Sequence, residues 1–375
     1  MNDPRVERLA DVYVGYSTEI KPGDRVLIEA EPNAEPIVRA TFKAILEAGG
    51  HPHLFISMAG QTTMTGLDDV FLEYANEDQI EFSPTFYNLV YEQFESRIRI
   101  HSENNTRLLA GADKTRLSGR KEAIHSVLDA QFRRGKTREF KWLTTLYPTQ
   151  AYAQDADMSL PEFEDFVFRA CHVDDADADP VAFWTQVAEQ QQGWVDAMDG
   201  HEQVKVRAPG VDLELSIKGR TFLNARGLNN MPDGEIYTGP VEDSVNGTVR
   251  FSYPCVSSGN EVDGVELVFE NGRVTSASAD KNQDFLERML DTDGGSRYLG
   301  EFAVGLNYGV DRVTKNILFD EKIGGSIHMA LGAGYPETGS QNESAIHWDL
   351  ITDMRDGGEI IVDGEVFYKD GCFTI

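Results

Sequence analysis

Cysteine is scarce in this chain of 375 residues: Cys171, Cys255 and Cys372 are odd in number, far apart and without a CxxC pair. That excludes a disulfide framework and a thiolate zinc site, and leaves buried or idle thiols. Basic residues are also few. The 34 Lys and Arg, 12 of them Lys, face 63 Asp and Glu, and the formal charge of -29 disfavours nucleic acid and anionic membrane as partners. No run approaches the roughly 18 consecutive apolar residues needed to cross a bilayer. The start, Met1-Asn2-Asp3-Pro4-Arg5, leads into a mixed polar helix rather than an apolar signal core, so a cytoplasmic protein without membrane association is expected. What is present is ample apolar material, 41% of residues, enough to bury a core and to exclude disorder or a collagen-like chain. The acid is dispersed along the chain rather than gathered in a tail. With so little lysine, this resembles the surface of a protein from a salt-loving organism, and it predicts loss of structure at low salt.

The length favours two domains. The first two hundred residues alternate strand and helix patterns. Arg25 to Ala30 (RVLIEA) reads as a buried strand after the turn Pro22-Gly23-Asp24. Residues 35–48 place Ile37, Thr41, Phe42, Ile45 and Leu46 on one helical face closed by Gly49-Gly50, and His53 to Met58 (HLFISM) reads as the next strand. Helices follow over 70–74 and 87–94, a strand over 97–101, a polar helix over 121–134 and a strand over 141–147. This alternation predicts an α/β domain over 1–200 with a mostly parallel sheet. The stretch 160–197 reads as helical, interrupted by the acidic run Asp174 to Asp179. That run lacks the central Gly and terminal Glu of a calcium loop, and fits a solvated helix start before Pro180. Beyond residue 202 short strands and Gly-rich turns take over, with Asn271-Gly272 as a hairpin turn and one helix over 283–290. A β-rich α+β domain is expected over 201–375.

Single-stretch catalytic signatures are missing: there is no HExxH, no Walker P-loop and no GxSxG elbow, and Gly332-Ala333-Gly334 lies outside any βαβ unit. The informative residues are dispersed. In AIHWDLI, strand alternation puts His347 and Asp349 on one face and Trp348 on the other. His328 lies in SIHMAL, where a lone histidine also fits a hydrogen-bonded core residue. Glu235 follows the turn Pro232-Asp233-Gly234, and Glu301 sits in the apolar run YLGEFAV, where burying an acid requires a cation or donor. Together these two Glu, two His and one Asp supply the mixed N/O donors that a pair of Zn, Co or Mn ions accepts. Spacing alone leaves open whether the five converge.

At these residues the chain resembles the aminopeptidase T and aminopeptidase S family of metallopeptidases. The resemblance is carried by NNMPDGEIYTGPVEDSVNG (229–247), RYLGEFAVG (297–305), IHMALGAGYPETG (327–339) and NESAIHWDLI (342–351), with a weaker match over the N-terminal region. It implies two divalent metals held by Glu235, Glu301, His328, His347 and Asp349, and a homodimer enclosing the active sites. It also implies removal of N-terminal residues from peptides by a metal-activated water. Tyr335 is then expected to donate to the oxyanion, although between Gly334 and Pro336 it also fits a turn-packing role. Glu301 is the candidate proton shuttle if it proves not to be a ligand. Ordinary histidine ligands predict a fall in activity below about pH 6. The chain departs from the family's DENxxCH-like run at Asp320 to His328, where the Asn and Cys positions are altered, and the interval from His328 to His347 is short. The alternatives are another two-metal amide hydrolase and a non-catalytic protein that binds a small ligand.

Overall fold

Runs of Val, Ile and Leu bounded by Gly and Pro turns become the strands of two separate units. The computed structural model describes residues 3–177, 179–257 and 259–375. The first two residues of the expected polar N-terminus and Ala178 of the acidic run lie outside the described residues. One unit comprises residues 1–185 and 227–232, the other 186–226 and 233–375.

The first unit is a parallel sheet with helices in its connections. Strands β1 (Arg25–Ala30), β2 (His51–Ile56), β3 (Ser96–His101) and β4 (Lys141–Leu146) run in the order β2-β1-β3-β4, and Asn230–Met231 adds a short parallel strand beside β4. The Glu35–Glu47 helix joins β1 to β2, buries Ile37, Val38, Thr41 and Ile45, and stops before Gly49, whose φ of 83° suits a left-handed terminator. β2 begins two residues before the expected HLFISM strand. As the sheet's edge strand it accommodates Pro52, which has no N–H to donate. The single polar helix expected over 121–134 is two helices, Lys114–Ala123 and His125–Gly135, parted at Ile124. Asp179 caps the next helix, Pro180–Met198, by accepting from the backbone N–H groups of Val181 and Ala182.

The second unit is antiparallel throughout its two larger sheets. One has eight strands; the other orders its five as His347–Asp353, Ser326–Gly332, Leu299–Gly305, Glu235–Thr238 and Leu223–Ala225. Asn271 and Gly272 both take positive φ and close the expected hairpin. A single apolar core draws on both sheets: Val204, Leu213 and Leu267 from the larger, and Ile236, Phe302, Val304, Ile327, Met329, Leu331, Trp348 and Leu350 from the smaller. Those last eight occupy one face of the five-stranded sheet, so the residues between them face the other way. Glu235, Glu301, His328, His347 and Asp349 are the residues between.

Candidate metal centre

The register aligns these side chains. Glu301 pairs with Ala330, which pairs with Asp349; His328 lies between Ala303 and Ile351; His347 pairs with Gly332; and Glu235 pairs with Gly305. One irregularity makes the set possible. The pairing steps from Leu299↔Leu331 to Glu301↔Ala330, a bulge that absorbs Gly300. Leu299 thus joins the core while Glu301 turns to the opposite face, which strict alternation forbids. Gly300 is required there, because a Cβ would stand 2.3 Å from Ala333 O and 2.4 Å from Gly332 O.

The structure brings all five candidate ligands together. His328 Nε2 lies 3.0 Å from Glu301 Oε1 and 3.3 Å from Glu235 Oε2; His347 Nε2 lies 3.5 Å from Asp349 Oδ1 and 3.7 Å from Glu301 Oε2. His347 Nδ1 meets the Ala333 carbonyl at 2.8 Å, so Nδ1 carries a proton and Nε2 is the nitrogen turned toward the acids. Tyr335 stands at the rim, its ring 5.2 Å from His347 and 5.4 Å from Tyr237, and remains 39% exposed.

Two further residues, absent from the sequence expectation, complete the cluster. Glu321 forms a donor group with His328 and Asp349. Lys322, 1% exposed, places Nζ 2.6 Å from Glu235 Oε1, 2.6 Å from Glu321 Oε1 and 3.5 Å from Asp233 Oδ1. Both lie in the Asp320–His328 run, where Glu321 keeps the acid of the family's DEN pattern and Lys322 stands at its altered Asn position; that run was the one available signal.

The crowd of buried acids dominates the electrostatics. Burial disfavours a charged His328, but Glu301 and Glu235 outweigh it and raise its pKa to about 9. Burial likewise works against His347, yet Asp349, Glu301 and the Ala333 carbonyl carry it to about 10. Asp349 moves the other way: its burial is outweighed by the two histidines and Lys322, and its pKa falls to about 2. Burial pushes Glu235 up, and burial also opposes the Lys322 charge, but Glu235, Glu321 and Asp233 hold the ammonium well above its ordinary range.

The donor set fits a divalent cation. Three groups, Glu235–Glu301–His328, Glu301–His347–Asp349 and Glu321–His328–Asp349, each keep their ligand atoms within 4.8 Å of one another. Glu235 Oε2, His328 Nδ1 and Asp349 Oδ1 are buried without a hydrogen-bond partner among the described residues. Buried polar atoms are rarely left so, and a cation would satisfy the carboxylate oxygens among them. Imidazole with carboxylate is donor chemistry that first-row divalent cations accept.

Fold and site together therefore define a protein with a cluster of imidazole and carboxylate donors, able to hold a divalent cation, on one face of an antiparallel sheet. The chain belongs to the thermophilic metalloprotease family (M29), which it matches over residues 2–373. It is 27% identical to aminopeptidase 2 of Geobacillus stearothermophilus, covering 98% of this chain and 95% of that one. To aminopeptidase T of Thermus thermophilus it is 26% identical, covering 98% and 96%. Its fold is that of wild-type AmpT from Thermus thermophilus, with a TM-score of 0.83, 20% identity and 99% of each chain covered. A 2,5-dihydroxypyridine dioxygenase from Pseudomonas putida KT2440 shares the fold at a TM-score of 0.56 and 11% identity, over 100% of this chain and 98% of that one.

Proposed function

We propose that the chain is a metal-dependent aminopeptidase that removes N-terminal residues from peptides through a water activated at a dinuclear centre. The observation that carries this reading is the meeting of Glu235, Glu301, His328, His347 and Asp349 on one sheet face in a metalloprotease family. The names of its relatives, aminopeptidases 2 and T, support the exopeptidase bond. When bound, divalent ions polarise a scissile carbonyl and lower the pKa of water from about 15.7 toward about 7.

The chain's own residues do the remaining work. Glu235, Glu301 and His328 would hold one ion and Glu301, His347 and Asp349 another, with Glu301 common to both groups; a third group, Glu321–His328–Asp349, shares His328 and Asp349 with them. Tyr335, beside His347 and partly exposed, donates to the oxyanion of the tetrahedral intermediate. The centre lies within the proposed catalytic domain, 201–375, which follows an α/β domain over 1–200.

Zn, Co or Mn is the proposed metal and the cytoplasm the proposed site of action; among the described residues no helix is long and apolar enough to cross a membrane. A homodimer is proposed. The edge of β2, which no other described strand pairs, with Leu54 48% and Ile56 38% exposed, supports it as a surface that pairing would cover.

The test is release of p-nitroaniline from aminoacyl p-nitroanilides at molar salt, comparing chelated protein with protein resupplied with Zn, Co or Mn. Turnover that returns only with metal and is absent from N-blocked substrates is the expected result. Turnover on N-blocked amides would indicate a different amide hydrolase. Metal uptake with no turnover on any substrate would indicate a non-catalytic relative.

A further inference from the structure

Lys322 is the one residue of the centre whose presence a cation site does not explain. Its ammonium is almost fully buried and takes one oxygen each of Glu235 and Glu321, at 2.6 Å, with Asp233 Oδ1 at 3.5 Å. Glu235 and Glu321 are members of two of the three donor groups, whereas Glu301–His347–Asp349 includes neither. The lysine is also fixed: Asn307 N–H donates to the Lys322 carbonyl at 3.0 Å, and Asn307 Nδ2 donates to the Asp233 carbonyl at 2.8 Å. A positive charge is therefore already seated on the Glu235 side of the centre, and Glu235 retains only Oε2 for a further cation, the oxygen that has no hydrogen-bond partner among the described residues.

We propose that Lys322 is a resident cation of the centre, so that the chain holds one divalent ion tightly through Glu301, His347 and Asp349 and a second only weakly on the Glu235 side. Like-charge repulsion and the loss of one oxygen from each of two carboxylates act in the same direction there. The inference rests on the metal-centre reading above and adds an order of filling to it.

The experiment is a titration of chelated full-length protein with Co(II), followed by its visible absorption and by calorimetry, for the intact chain, Lys322→Gln and Lys322→Met. The intact chain should show two steps whose dissociation constants differ by at least tenfold, or a single ion per chain at micromolar metal. Both variants should narrow the gap by tightening the weaker step. His347→Ala should remove the tight step and leave the weak one. Two steps of equal affinity in the intact chain would overturn the proposal whether or not the variants fold. An unchanged gap in folded Lys322→Gln and Lys322→Met would do so too. Failure to bind any ion would instead refute the metal-centre reading itself.

Discussion

At the scale of single residues, the two histidines set the pH response of the centre. Without metal their neighbouring acids hold the pKa values at about 9 and about 10, so below that range each imidazole keeps a proton that an incoming cation must displace. Metal affinity should therefore rise with pH from neutrality up to those values and flatten above them, by up to about tenfold per pH unit for each proton released. This moves the window well above the fall near pH 6 that ordinary histidines suggest. Competition with a chelator at pH 6.5, 7.5 and 8.5 measures it, and a flat profile would mean that the histidines do not ligate. His347→Ala and Asp349→Ala should each abolish turnover and lower metal content while leaving the far-UV circular dichroism unchanged; full activity in either would reject the ligand assignment. Tyr335→Phe should lower kcat by roughly tenfold or more with little change in KM, because the contact strengthens only in the transition state. A loss through KM alone would make Tyr335 a packing residue.

At the scale of elements, the centre is a product of strand phase. His347 and Asp349 were legible as a pair because two residues apart on a strand means one face, and their strand pairs with Ser326–Gly332 without a shift of register. Glu301 was legible only as an acid among apolar residues. Its direction depends on the bulge at Gly300, and nothing in the local pattern marks where a strand takes an extra residue. Glu321 and Lys322 were illegible for a different reason. They follow a one-turn helix, Ile317–Asp320, rather than a periodic element, and charged residues carry no local signal in so acidic a chain. The βαβ units were readable from helix and strand periods, whereas Asn230–Met231, two residues long, has too little sequence to show any period. The bulge also supplies a test. Gly300→Ala would drive a methyl group into the Ala333 and Gly332 carbonyls, and overpacking of this kind costs roughly 1–3 kcal/mol. The variant should melt several degrees lower and bind less metal. Unchanged melting and metal content would show that Glu301 reaches the centre without that geometry.

At the scale of the whole molecule, the charge of -29 sets how stability responds to ionic strength. Ion pairs such as Arg5–Asp165, Arg133–Glu92 and Lys369–Glu359 join partly exposed groups, and added salt weakens them, each by a small amount. The acids in excess of the bases act oppositely: their mutual repulsion is largest in dilute buffer and shrinks as the Debye length falls from about 10 Å at 0.1 M to about 3 Å at 1 M. With almost two acids for every base, repulsions outnumber attractions, so the melting temperature should rise with potassium chloride. Chloride is the appropriate anion, since sulfate strengthens apolar burial in any protein and would mask the effect of charge. Scanning calorimetry at 0.05, 0.5 and 2 M, with excess metal present so that the centre stays filled, measures it. A continued rise between 0.5 and 2 M would mean that hydrated cations held at the carboxylate surface contribute beyond screening, as expected of a protein adapted to high salt. A plateau by 0.5 M would assign the whole effect to screening, and an unchanged melting temperature would show that the dispersed acid is placed where its repulsion costs the fold nothing.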